Sequence, residues 1–416
     1  MLQVARSVLS LLLGVALLML GNGALSTLIG LRLGASESGT AAVGLIAAAF
    51  YAGLTAGSLY AHRIITRVGH IRAFSAFASI VSAASLAHAL VVDAPLWAAL
   101  RLGEGFCMAG LYMCIESWLN DTATNETRGQ VLSLYMVTLY GAMAVGQQLL
   151  HLDDRAGTLI FMVVSILLSL ALVPVALTRT SPPVLPRIAS FGVGRLFDAS
   201  PLGVAGVFIS GAITGSIYGL APVFGTAYGF GVSGTALFMT ALILGGVALQ
   251  WPLGRLSDRF DRRTVIIGLS AALTLTSLAM IGAAGLDRPL ILLAVAPLFG
   301  GLSFTLYPVC LAHTNDHVDK AELLSASGGL ILANSIGAIL GPLLASAAMA
   351  GIGPQGLFAY TATGALGATI YGMWRTRVRP PPPAEAQAIF RPLPQTTPVV
   401  TPLDPLAPLK PPPASR

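Results

Sequence analysis

Three ionisable side chains stand within one long apolar stretch: Arg101, Glu104 and Glu116. A charge in hydrocarbon costs about 2.5–3.5 kcal/mol on insertion scales, so such residues face a cavity or a partner. Arg101 and Glu104 are three apart and share one side of a helix. A neighbouring guanidinium favours the charged carboxylate, whereas desolvation favours the protonated acid. A carboxyl held between these influences can take up and release a proton as its surroundings change. The plainer reading is a self-neutralising pair that helps a polar helix insert. Glu116 lies twelve residues beyond Glu104, about 18 Å along a helix, beside Trp118 and Asn120. It fits either a gate or an ion-pair partner for the basic loop after the second apolar run. Arg101, Glu104 and Glu116 are the expected proton-handling residues.

Uncharged polar groups mark a candidate cavity. Asn22 sits between Gly21 and Gly23, Gln147 and Gln148 close the fifth apolar run, and Asn334 precedes Ser335 in the eleventh. Tyr112 and Tyr307 occupy corresponding places in the two halves, and Tyr218 lies in a glycine-rich seventh run. An unpaired amide in lipid is costly, so Asn22, Tyr112, Gln147, Gln148, Tyr218, Tyr307 and Asn334 are expected to line a polar space. His88, near the outer end of the third run, reads as an interfacial or helix-packing residue rather than a proton relay.

The elements that must position these groups follow from composition. Of 416 residues, 10% are charged and 55% apolar, and the mean hydropathy is +0.80. Soluble domains carry about 25% charged residues, so a soluble enzyme, a disordered chain and a nucleic-acid binder are excluded. Apolar runs of about 20 residues, long enough for helices to cross hydrocarbon, recur where a β-barrel would show shorter alternating segments. Twelve are expected near 8–30, 40–60, 71–92, 95–118, 130–150, 157–177, 201–222, 231–252, 264–284, 288–312, 324–346 and 355–374. The fold class is an all-α membrane protein. Cys107, Cys114 and Cys310 fall inside apolar runs and suggest neither a disulfide nor a metal site. No cofactor is implied.

Nineteen of the 23 Lys and Arg fall on one face, three on the other, and Arg101 within a span. The positive-inside rule therefore puts both termini in the cytoplasm. Few lysines among many Arg and Ala suggest a bacterial inner membrane. Prolines 182, 183 and 186 mark a cytoplasmic linker over 179–200 between halves 1–178 and 201–376. The stretch 377–416 is proline-rich and reads as a disordered cytoplasmic tail.

The halves are related. Leu111-Tyr112 and Asn120-Asp121 recur 195 residues later as Leu306-Tyr307 and Asn315-Asp316, as does Gly146 at Gly341. Gly57 and Gly254 are 197 apart. A nearly constant offset signals a duplicated six-helix unit, with a solute site at the interface between repeats.

The segment Gly254-Arg-Leu-Ser-Asp258-Arg259-Phe-Asp-Arg262-Arg263 resembles the signature loop of the major facilitator superfamily. Its first-half counterpart keeps Gly57, Arg63, Arg67, Gly69 and Arg72 but has Ala61 where the family has Asp. The resemblance implies cytoplasmic gating by Gly57, Arg63, Arg67, Gly69, Arg72, Gly254, Asp258, Arg259, Arg262 and Arg263, with more of the latch in the second half. Leu100-Arg101-Leu-Gly103-Glu104-Gly105 resembles the superfamily's fourth-span motif, linked in many members to proton coupling. Ala109 to Asn120, with Arg67 to Phe74, is similar to the YcaD-like subgroup. The fifth run lacks the Gly-Pro pair of the antiporter signature, which weakens a drug/proton antiport reading.

What the resemblance implies is a twelve-helix secondary transporter, in two six-helix repeats, moving a small solute by alternating access. Proton coupling is expected, export is one direction open to it, and lipid and protons are its other partners, with the chain monomeric. A non-transporting membrane sensor or scaffold using the tail is the alternative. No nucleotide-binding loop, zincin motif or nucleophile elbow is present, so an enzyme is not expected.

Overall fold

The computed structural model describes residues 2–34, 39–152, 157–177, 183, 193–286, 288–319, 322–378, 390–405 and 407. The first half comprises α1 Leu2–Gly34, α2 Gly39–Val68, α3 His70–Leu90, α4 Ala94–Thr122, α5 Arg128–Gly146, α6 Leu159–Leu170 and α7 Leu172–Ala176. A 3-10 turn, Gln147–Leu152, prolongs α5, and α6 and α7 form one span. A short helix, α8 Val193–Ala199, lies within the stretch expected as a linker, most of which falls outside the described residues. The second half comprises α9 Pro201–Ala227, α10 Gly231–Arg259, α11 Arg262–Gly285, α12 Pro289–Asn315, α13 Leu323–Ile352 and α14 Gly356–Val378.

Among the described residues, eleven helices are long and apolar enough to cross a membrane. The twelfth, α14, carries Arg375 and Arg377 in its last turn and packs among α9, α11 and α13. Each expected span is a helix. Several run past the expected ends, α2 to Val68, α4 to Thr122 and α10 to Arg259. Apolarity marks the hydrocarbon, but a helix continues into the headgroup zone where charged side chains are solvated. The two signature segments are therefore mostly helical, broken at Gly69, with φ +89°, and at Phe260-Asp261. The Asp261 carboxylate caps α11 by accepting from the Arg263 N–H at 3.0 Å.

Both halves use the same packing order: α1 on α5 and α9 on α13, α2 on α4 and α10 on α12, α3 on α6 and α11 on α14. Small residues let the backbones approach. A Cβ on Gly146 would lie 2.4 Å from the Leu20 carbonyl, and one on its counterpart Gly341 would lie 2.1 Å from that of Ala212.

The halves meet on the face opposite the arginine-rich one. Gly44 of α2 lies against Ser346 and Pro342 of α13, Ala47 against Gly219 of α9, and Gly30 of α1 against Gly219 and Pro222. The Gln148 amide donates to Thr240 Oγ1 of α10 at 2.9 Å. On the arginine-rich face a chain segment lies between the halves.

That segment is residues 390–405, which corrects the expectation of a disordered tail. Residues Pro398–Leu403 form a 3-10 helix capped by Thr397, and Phe390, Leu393, Val399, Val400 and Leu403 are buried. Composition misled because each proline lacks an N–H. Such a segment carries fewer donors that burial must satisfy, and the apolar residues between its prolines can fill a groove. Residues 379–389 and 408–416 lie outside the described residues.

Candidate functional site

Between the halves lies a cavity of about 140 Å³. α1 contributes Asn22 and Ser26, α2 Phe50 and Tyr51, α4 Arg101 and Tyr112, and α5 Tyr140 and Gln147. α9 contributes Thr214 and Tyr218, α12 Phe304, and α13 Asn334 and Ser335, while Gln395 and Thr396 enter from the C-terminal segment. Tyr218 and Phe304 stack at 5.5 Å. A drug-sized pocket spans roughly 300–1,000 Å³, so this space holds a small solute at most while the segment is in place.

Five of the seven expected cavity residues line it: Asn22, Tyr112, Gln147, Tyr218 and Asn334. Two do not. Tyr307 is packed within the second half at 1% exposure, and Gln148 is exposed and bridges to Thr240. Sequence offset places a residue along a helix without its rotation about the axis, which explains both misses. Two of the lining amides are already engaged. Gln147 accepts from Thr27 at 2.7 Å and donates to the Gly23 carbonyl at 3.1 Å; Asn334 donates to that of Val207 at 3.0 Å. Each ties α5 or α13 to its neighbouring helix as well as facing the cavity. The Tyr112 hydroxyl donates to Met19 Sδ at 3.4 Å.

Arg101 reaches the cavity wall and points its charge two ways. Nη1 donates to Glu104 Oε2 at 3.0 Å and Nη2 to Ser26 Oγ at 3.2 Å, while the guanidinium lies 4.0 Å over the Phe50 ring. Glu104 itself stands behind Arg101, away from the cavity, at 1% exposure. Its Oε1 accepts no hydrogen bond among the described residues and lies 3.6 Å from His88 Nδ1. That ring nitrogen is 2.7 Å from the Ala84 carbonyl, which can only accept, so it carries a hydrogen. His88 is fully buried, stacked on Phe161 and edge-on to Trp97. Sequence reading assigned His88 to packing; it does pack, but beside the one carboxylate of this cluster. The signal was its place on α3, the helix that packs on α4.

Glu116 is fully buried nearer the arginine-rich face and accepts from Tyr135 at 3.0 Å and from the Thr396 and Thr397 hydroxyls. An ion pair with the basic loop after α2 was open to it; the hydroxyls hold it instead. Among the gating candidates, Arg63, Arg67, Arg72 and Arg259 are exposed, with Arg63 resting on Tyr60. Gly57 lets α2 close on α4 at Phe106 and Ala109, and Gly254 makes room for Phe390. Arg262 is buried and pairs with Asp316 at 2.5 Å, with Asp258 at 3.3 Å, and with the Ala312 carbonyl. Asp258 also accepts the Phe390 N–H at 2.6 Å. Arg263 is buried at the start of α11. The corresponding first-half positions differ: Ala61 is fully buried and Asp121 is exposed. Among the described residues an ion network stands at these positions in the second half.

Two six-helix repeats with a cavity between them are the architecture of a membrane carrier. The sequence profile of the Major Facilitator Superfamily matches residues 11–304 and, in a second match, 204–409, and the chain belongs to that superfamily. It is similar to an uncharacterized MFS-type transporter of Enterobacter sp. (strain 638), with 31% identity over 81% of this chain and 87% of the relative. YcaD, an uncharacterized MFS-type transporter of Salmonella newport (strain SL254), is 29% identical over 83% of this chain and 89% of its own length. Solved structures share the fold. The nucleoside transporter NupG superposes with a TM-score of 0.72 at 13% identity, covering 90% of this chain and 100% of its own. A D-xylose-proton symporter gives 0.69 at 14%, covering 92% and 99%. A bacterial homolog to the human lysosomal transporter Spinster, inward-facing and occupied, gives 0.70 at 15%, covering 92% and 98%. The chain is a multi-pass membrane transporter of small solutes and not an enzyme.

Proposed function

We propose a proton-coupled transporter of a neutral, polar small solute, with Glu104 as the proton site and Arg101 as the link to the cavity. One observation carries it: a buried carboxylate with one oxygen on Arg101 and the other without a donor among the described residues, directly behind the cavity wall. Protonation at Glu104 frees the Arg101 guanidinium to turn toward the cavity; loss of the proton draws it back. Occupation of the cavity and proton occupancy thereby act on one side chain. Among the described residues no carboxylate lines the cavity, and Arg101 is balanced by Glu104. Tyrosine hydroxyls, amides and ring faces suit an uncharged, hydroxylated solute. The nucleoside and xylose carriers among the structural neighbours handle solutes of that kind.

We place the protein in a bacterial inner membrane as a monomer among its lipids, with both termini and the arginine-rich face cytoplasmic. Export is one direction open to it. Burial of residues 390–405 within the carrier, rather than their display to a partner, weighs against the sensor or scaffold alternative. The test is a thermal-shift screen of neutral sugars and nucleosides at about pH 5.5 and about pH 7.5, since a ligand of the native state raises stability by mass action. A hit whose pH dependence disappears in Glu104→Gln supports the assignment. A pH-dependent hit unchanged in that variant overturns Glu104 as the proton site.

A further inference from the structure

The opposite face of the molecule is sealed by helix-on-helix contact, while on the cytoplasmic face a segment of the same chain lies between the two halves. Residues 390–405 touch both. On the first half, Thr396 and Thr397 donate to Glu116 of α4, and Arg128 of α5 donates to the carbonyls of Asp404, at 3.5 Å, and Ala407, at 3.2 Å. On the second half, Phe390 fills the space that the absent side chain of Gly254 leaves on α10, and its N–H is bound by Asp258. The 3-10 helix rests on α4, α5 and α13. Gln395 and Thr396, which precede that helix, form part of the cavity wall.

We propose that residues 390–405 are an internal plug. They occupy the cytoplasmic vestibule of the inward-facing carrier, bind the signature segment through Asp258 and Gly254, and must withdraw before a solute can pass between cavity and cytoplasm. The anchors fit that role. Glu116 satisfies two hydroxyls whose own backbone stretch is interrupted by prolines, so leaving exposes few N–H groups to an apolar wall. Water entering the vacated vestibule can take the place of the threonine hydroxyls at the carboxylate. Bridging both halves, the plug also opposes the rocking that would close this face, because closure brings α4 and α10 into the space it fills. Access is thereby set by a segment in the same chain, and any condition that frees the segment releases the carrier. This rests on the carrier reading only for the direction of access.

The test reads access without a solute. Ser335→Cys on the cavity wall is placed in the full chain, purified in detergent and treated with fluorescein maleimide. The parent chain, whose Cys107, Cys114 and Cys310 are buried, gives the background. Labelling is expected to be slow, and at least about tenfold faster when Phe390→Ala, Thr396→Ala and Thr397→Ala are added, with the melting midpoint still measurable. Equal labelling rates in two folded proteins overturn the plug. If the triple variant fails to fold, a second pair decides. A Cβ on Gly129 would lie 3.2 Å from Pro405 Cγ, so Gly129→Cys with Pro405→Cys is expected to form a disulfide on mild oxidation and to slow Ser335→Cys labelling further. No disulfide, or one without effect on labelling, refutes the proposal. An empty solute screen leaves these outcomes intact, and a freely open vestibule leaves the Glu104 assignment standing.

Discussion

Substituting Gly44 by alanine is expected to shift the carrier away from the conformation described. A Cβ there would lie 2.6 Å from Ser346 Cβ and 2.7 Å from the Pro342 carbonyl across the seam between halves, where ordinary contact begins at 3.4 Å, so α2 and α13 must part by about 0.8 Å. The Ser346 hydroxyl, at 2.3 Å, can rotate away; Ser346 Cβ and the carbonyl cannot. Overpacking of this kind costs about 1–3 kcal/mol. The seam is closed in the conformation described, so the cost falls on that conformation and is absent once the halves rock apart. The equilibrium then moves by roughly 5–150-fold. Leu45 and Leu344 flank the seam and are exposed, which makes them fitting sites for spin labels. Pulsed electron resonance on the Leu45→Cys, Leu344→Cys protein is expected to show one short distance, joined in Gly44→Ala by a longer one. Gly53→Ala is the control. Its Cβ would meet the Leu102 carbonyl at 2.0 Å within the first half, so it should lower stability without changing the distance distribution. Identical distributions in the Gly44→Ala and parent proteins would refute the reasoning.

Further outcomes follow from the same geometry. Gln147→Leu removes the acceptor for Thr27 and the donor to Gly23 in a buried place, and unfolding in mixed micelles should show a loss of about 1–3 kcal/mol. Arg262→Met and Asp316→Asn, taken singly and together, should couple by about 0.5–3 kcal/mol in a double-mutant cycle; additivity would deny that the pair acts as a unit. Arg63→Gln and Arg259→Gln, on exposed positions, should change stability by no more than about 0.5 kcal/mol, measured in the same titration.

What the sequence discloses depends on whether the signal is axial or rotational. The spans were legible because hydropathy follows distance along a helix. The duplication was legible because Gly146 and Gly341 sit where two backbones touch in both halves. Rotation was not legible. The helical moment of an all-apolar span is weak, so Tyr307 and Gln148 could not be told from Tyr112 and Gln147. The Arg101–Glu104 pair was readable from i, i+3 spacing, but His88 joins it from another helix. The buried place of Phe390 to Pro405 was hidden by proline content, which usually marks chains with little to bury; the apolar residues between the prolines carried the opposite signal. Gly254 was read as a helix-contact residue of a gating motif, and its empty side-chain space turned out to hold Phe390.

The contact between Glu116 and the threonines of the C-terminal segment spans 280 residues of chain. During synthesis at about 5–20 residues per second, α4 is made roughly 15–60 s before Thr396 emerges from the ribosome. For that interval the nascent first half carries a carboxyl on its inner wall without two of its final donors. It must be tolerated by the insertion machinery, by water or by a proton until the last-made part of the bundle arrives. Biogenesis therefore has an order: six helices, then six more, then the segment that fills the space between them. A ribosome stalled after α14 would leave a carrier complete in its spans and open at one end.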